Sequence, residues 1–79
     1  MTNLEKYNRA FVNALGVTED ELNEKLVYQS IQNWDSVGHM SLVAEIETEF
    51  DIMLDTDDII DLSSYEKGKE ILKKYNVEV

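Results

Sequence analysis

Cysteine and proline are both absent from this 79-residue sequence. Without cysteine there is no disulfide framework, no thiolate metal site and no thiol nucleophile, a usage that suits a reducing, cytoplasmic setting. No apolar stretch approaches the ~20 residues needed to cross a bilayer. The opening residues Met1 to Lys6 also lack the basic start and apolar run of a signal peptide. Strand-like alternation, repeats and low-complexity tracts are missing too. The most telling absence is of positive charge: no Lys or Arg lies between Lys25 and Lys67, whereas ten acids do. That block equals the whole net charge of −10. A field of this sign repels nucleic acid and anionic membranes and attracts basic protein surfaces. Acids also solvate small domains, but so long an unopposed run favours docking.

The residues that are present read as an all-α chain of one small domain spanning 1–79. Thr2 and Glu5 have capping-box spacing, Leu4, Tyr7, Phe11, Val12 and Leu15 follow at helical intervals, and Gly16 fits a left-handed cap. The first helix thus runs from about Asn3 to Leu15. Residues 17 to 35 form a long first loop, with a helical turn after Thr18 and with Leu22, Leu26, Tyr28 and Ile31 spaced to pin it to the core. A second helix runs from about Ser36 to Phe50. Its buried face is expected to hold Met40, Leu42, Val43, Ile46 and Phe50, with Gly38, Ser41, Glu45, Thr48 and Glu49 opposite. Thr56 caps a short third helix through Asp57, Asp58, Ile59 and Ile60. Ser63 and Glu66 open a last helix carrying Tyr65, Ile71, Leu72 and Tyr75. The expected architecture is a small four-helix bundle, three main helices and one short one.

Ser36 stands where the polar loop ends and the second helix begins. A hydroxyl there faces unpaired backbone N–H groups and the positive end of the helix dipole, a setting that favours a phosphate ester over a catalytic serine. No neighbour activates it, because the single histidine, His39, suits a boundary residue with a local hydrogen bond. Trp34 is expected to pack the end of the loop against the bundle. A calcium-loop reading of Asp55-Thr56-Asp57 fails at Ile59 and Ile60, where a ligand and a turn glycine are required, although clustered carboxylates leave loose divalent binding open.

The segment Asp35-Ser36-Val37 resembles the prosthetic-group attachment site of acyl carrier proteins, an Asp-Ser-Leu tripeptide. The resemblance continues through the acidic helix Leu42 to Phe50, Ile52, the Asp57-Asp58-Ile59 segment and the final helix, and covers nearly the whole chain. It implies 4′-phosphopantetheine, taken from coenzyme A, esterified to Ser36, and an arm whose thiol holds acyl groups as thioesters. It further implies that the chain is not itself an enzyme and has neither catalytic residues nor a dedicated metal site. The implied partners are a phosphopantetheinyl transferase and acyl-transferring or acyl-activating enzymes with basic docking patches. Asp35, Val37, Glu45, Glu47 and Glu49 are the implied recognition residues. Nucleic acid and membrane are not expected as partners, and the chain is expected to be a monomer. Two alternatives stand beside an acyl carrier: an aminoacyl or peptidyl carrier sharing the arm, and an acidic interaction module in which Ser36 is only a helix cap. The family pattern places acids soon after the serine, but Gly38 and Ser41 occupy that stretch here. A specialised fatty acid, lipid or polyketide pathway therefore fits better than housekeeping synthesis.

Overall fold

The computed structural model describes residues 2–79, and among them the chain is all α. Helix α1 (Asn3–Leu15) begins with the expected capping box: the Thr2 hydroxyl accepts the Glu5 N–H at 3.1 Å and the Glu5 carboxylate accepts the Thr2 N–H at 3.2 Å. It ends at Gly16, whose φ of 68° permits the left-handed cap that turns the chain. A single 3₁₀ turn, Glu19–Glu21, follows Thr18. Helix α2 (Ser36–Phe50) ends in a left-handed Asp51, and α3 (Thr56–Asp61) and α4 (Tyr65–Lys73) complete the bundle.

Two caps fall one residue from their expected places. Asp55, not Thr56, precedes α3, and its N–H donates to the Tyr75 hydroxyl at 2.9 Å. Ser64, not Ser63, caps α4 by accepting the Lys67 N–H at 2.9 Å. Pairing across the molecule makes the second choice. The Tyr28 N–H donates to the Ser63 carbonyl at 2.8 Å and the Tyr65 N–H to the Leu26 carbonyl at 2.9 Å, so Ser64 is held in an antiparallel bridge with Val27 and the helix starts only after it.

The core is aromatic. Phe11 meets Tyr7, Trp34 and Tyr65 edge-on, with ring centroids 5.0, 5.6 and 5.2 Å apart. Burying side chains of this size stabilises the fold by roughly 1.5–3 kcal/mol each, and edge-to-face pairing adds to that. Their polar ends are satisfied: Tyr7 donates to the Tyr65 carbonyl at 2.6 Å, and the Tyr65 hydroxyl donates to Asn8. Trp34, Leu26 and Val17 drop from the long loop into this core; Leu22 and Ile31 pack partly buried against it, whereas Tyr28, expected to pin the loop, is 37% exposed.

One polar group is buried without any sign in the sequence. Asp58, only 3% exposed, accepts Lys74 Nζ at 2.6 Å and the Tyr75 hydroxyl at 2.6 Å, tying α3 to the end of α4. These hydrogen bonds hold its carboxyl below the usual aspartate range and raise Lys74 and Tyr75 above theirs. A carboxyl depressed in the fold contributes stability that is fully present above the unfolded value of about 3.8 and is lost as pH falls through the lower folded value. Asp58→Asn should therefore lower the melting temperature at neutral pH, with the gap to the native chain closing below about pH 3.8. Thermal unfolding of both chains across that range checks it. A gap that stays constant would show that the clasp does not depend on the charge.

Candidate functional site

The site is built from the start of α2. Asp35 is the N-cap residue: its extended backbone ends the loop and its carboxylate accepts the Gly38 N–H at 2.9 Å. The His39 N–H already reaches the Asp35 carbonyl at 2.8 Å, so the first turn leaves the N–H groups of Ser36 and Val37 without an intrahelical partner. Ser36 is the first helical residue, one place beyond the cap, and it is exposed. Capping is thus done by Asp35, and Ser36 is not needed for it.

Gly38 holds this turn against the rest of the molecule. The sequence placed it on the outward face, but it is buried. A Cβ there would lie 1.9 Å from the Asn33 carbonyl oxygen and 3.3 Å from the Leu15 side chain. The absence of a side chain lets the first turn of α2 pass directly over the loop backbone. Asn33 in turn donates from Nδ2 to the Leu15 carbonyl at 2.9 Å, so one loop residue closes the end of α1 and seats the start of α2.

The end of the loop and the first turn of α2 carry a polar-aromatic wall. The Trp34 indole N–H donates to His39 Nδ1 at 3.0 Å, and His39 Nε2 lies 2.7 Å from the Ile59 carbonyl. An indole only donates and a carbonyl only accepts, so the imidazole bonds as the Nε2–H tautomer and bridges α2 to α3. His39 is thus a boundary residue with local hydrogen bonds, and Trp34 is fully buried, both as expected. Tyr28 packs edge-on against both rings, 6.3 Å from Trp34 and 5.5 Å from His39. Tyr28, His39, Ile59, Ile60, Leu62 and Ser63 line an open cleft of about 200 Å³ beside this wall. The cleft depends on the loop meeting α3, a juxtaposition no local pattern announces.

The expected recognition residues divide into two groups. Asp35, Ser36 and Val37 stay together at the helix start, with Val37 75% exposed. Glu45, Glu47 and Glu49 lie farther along α2 and are all partly covered. Glu49 accepts from two of the three Arg9 guanidinium nitrogens, Nη2 at 2.6 Å and Nε at 3.1 Å, which holds its carboxyl below the usual range and Arg9 above its own. Glu45 adds to the field that raises Arg9. Glu47 accepts the Leu54 N–H at 2.9 Å and so fastens the turn after α2. Met40, expected in the buried face, is 55% exposed. Around the helix axis Gly38 lies about 40° from Leu42 and Met40 about 160° from it, and the core follows Leu42. Among the described residues no cluster of three or more His, Cys, Asp or Glu side chains could hold a metal ion, and no helix is long and apolar enough to cross a membrane.

Only a few of the 17 acids are drawn into ion pairs. The rest repel one another over a screening length of about 10 Å at 0.1 M salt. The melting temperature should accordingly rise as NaCl or millimolar Mg²⁺ is added. A flat or falling series would mean that the fold already compensates these charges.

The chain matches no protein-family model, no curated protein and no solved structure.

Proposed function

We propose that this chain is an acyl carrier protein, with 4′-phosphopantetheine esterified to the Oγ of Ser36. The observation that carries the reading is the division of labour at the start of α2. Asp35 does the capping, so Ser36 sits exposed at the first helical position with no structural duty of its own. The unpaired Ser36 and Val37 N–H groups and the helix dipole favour the phosphodiester that the ester would place there. An arm of this kind supplies the thiol that a cysteine-free chain lacks, and on it an acyl group is held as a thioester.

The chain's own residues do the positioning. Asp35 fixes the first turn and presents Ser36 to the transferase. Gly38 seats that turn on Asn33, and the Trp34–His39–Ile59 bridge holds the base of the site against α3. No residue of the site is arranged to activate the Ser36 hydroxyl, so ester formation belongs to the transferase and acyl chemistry to partner enzymes. The field of the acidic block speeds encounter with basic partners such as these. The late start of the acids along α2 fits a specialised fatty acid, lipid or polyketide pathway. Peptide mapping after incubation with coenzyme A and a broad-specificity phosphopantetheinyl transferase tests the reading. The peptide spanning Ser36 should gain one phosphopantetheine and no other peptide any. An unmodified chain with several transferases would favour the interaction module.

A further inference from the structure

Helix α3 is only 6 residues long and is anchored by side chains on two sides. Asp58 ties it to the end of α4 through Lys74 and Tyr75, and the Ile59 carbonyl, one residue on, receives His39 from α2. A proton acts differently on the two anchors. The Asp58 carboxyl is held below its ordinary value of 3.8, so the clasp keeps its charge through any mildly acidic solution. Histidine, in contrast, ordinarily exchanges its proton between about pH 5 and 8, and His39 is the only one in the chain.

The His39 anchor works only with a neutral ring. Nδ1 accepts the Trp34 indole N–H at 3.0 Å while Nε2 donates to Ile59 at 2.7 Å. A proton on Nδ1 turns that acceptor into a donor, and two N–H groups then face each other. Trp34 has no room to yield, because it is fully buried and packed edge-on against Phe11 and Tyr28. The half-buried imidazole does have room. Turning it from Trp34 swings both ring nitrogens together, so Nε2 leaves the Ile59 carbonyl as well. Tyr28 faces the ring from the loop, its centroid 5.5 Å away. Of the acids on the adjoining elements, Asp58 is engaged by Lys74, and Asp35 at the head of α2 and Asp57 and Asp61 on α3 are exposed. Neither α2 nor α3 carries a Lys or Arg, so no cation on them repels an imidazolium.

We propose that His39 is a proton-operated latch between the loop, α2 and α3. Neutral, it holds α3 against α2; protonated, it frees α3 to tilt about the Asp58 clasp and opens the cleft that His39, Tyr28 and Ile59 line. Opening wets Leu62, which the closed state buries. The latch is independent of the carrier reading, since it acts whether or not Ser36 bears an arm.

The test is NMR of the full ¹⁵N-labelled chain between about pH 8 and 5, the histidine range, in which Asp58 stays ionised. The His39 ring nitrogens report proton uptake, and the Trp34 indole N–H reports its bond. Hydrogen exchange at Leu62, whose N–H donates to the Asp58 carbonyl at 3.0 Å, reports α3. As the ring takes its proton, the Trp34 signal should shift in step and Leu62 should lose about tenfold in protection, with the amides of α1 unchanged. His39→Gln offers an acceptor and a donor in one amide but takes no proton, so its Leu62 protection should stay level across the range. A ring that stays neutral to about pH 5, or one that takes its proton with Leu62 protection unchanged, refutes the latch. A full loss of Leu62 protection in His39→Gln also refutes it, because another group would then be titrating. If His39→Gln does not fold, the native chain decides alone: one shared midpoint for His39, Trp34 and Leu62 supports the latch, and separate midpoints refute it.

Discussion

Gly38→Ala should destabilise the fold by about 3 kcal/mol. The reason is the neighbour that the new atom meets. A Cβ at this position falls 1.9 Å from the Asn33 carbonyl oxygen, a backbone atom that has no rotamer to change. Either the loop lifts from α2 or the first turn of α2 unwinds. Lifting the loop breaks the Asn33–Leu15 hydrogen bond at the end of α1, and unwinding the turn releases the Gly38 N–H from Asp35. Helix propensity alone would predict the opposite sign, with alanine favoured over glycine by up to ~1 kcal/mol. The packing term is larger and decides. Urea unfolding of the two chains separates them: a lower midpoint for Gly38→Ala supports the close approach, and an equal or higher one would place the loop farther from the helix. A charged residue at this position is excluded for the same reason, so acids cannot be restored to the start of α2 through Gly38.

That reversal shows where the sequence was legible and where it was not. The bounds of α1 and α2 follow from local chemistry: a Thr2–Glu5 box, a left-handed Gly16 and a polar loop that stops at Asp35. Local signals act over three or four residues, and there the sequence can be read directly. At α3 and α4 two cap-competent residues stand side by side, Asp55 with Thr56 and Ser63 with Ser64. Propensity has no means to choose between them, and the Tyr28–Ser63 and Leu26–Tyr65 pairings settle the second case from the far side of the molecule. Asp58 is hidden for a similar reason. It stands beside Asp57 in an acidic run, and only the distant Lys74 and Tyr75 distinguish the two. Gly38 and Met40 were legible in principle from the helical wheel, but residue type argued the other way: an apolar methionine suggests burial and a glycine suggests nothing to bury.

The same contrast applies within the candidate site. Its place was evident, because a serine after an acid at a loop-to-helix junction is a local feature. Its surroundings were not. The α2 acids looked like a docking face when counted along the chain, yet Glu49 is bound to Arg9 of α1 and Glu47 to the Leu54 N–H of the following turn, and the exposed residues of α2 are uncharged. The Tyr28–Trp34–His39 wall joins a loop residue, a loop end and a helix residue that no spacing rule connects.

Replacing Ser36 with alanine should abolish attachment of the arm altogether while leaving the fold intact. The expected effect on stability is within ±0.5 kcal/mol, because Ser36 is exposed and Asp35, not Ser36, caps α2. A cap residue behaves differently: Asp35→Ala should cost about 1 kcal/mol and weaken loading, by loosening the turn that presents the hydroxyl and by removing a recognition carboxylate. Loading, not stability, parts the carrier from the interaction module. In the module no transferase would modify the native chain, and with Asp35 supplying the cap the stability of Ser36→Ala is the same in both readings. The decisive measurement is the intact mass of the native chain and of Ser36→Ala after incubation with coenzyme A and a phosphopantetheinyl transferase. A native chain heavier by one phosphopantetheine, beside an unchanged and fully folded Ser36→Ala, is the result predicted here. Arm attachment that persists in Ser36→Ala, or a native chain that stays unmodified with every transferase tried, would contradict it.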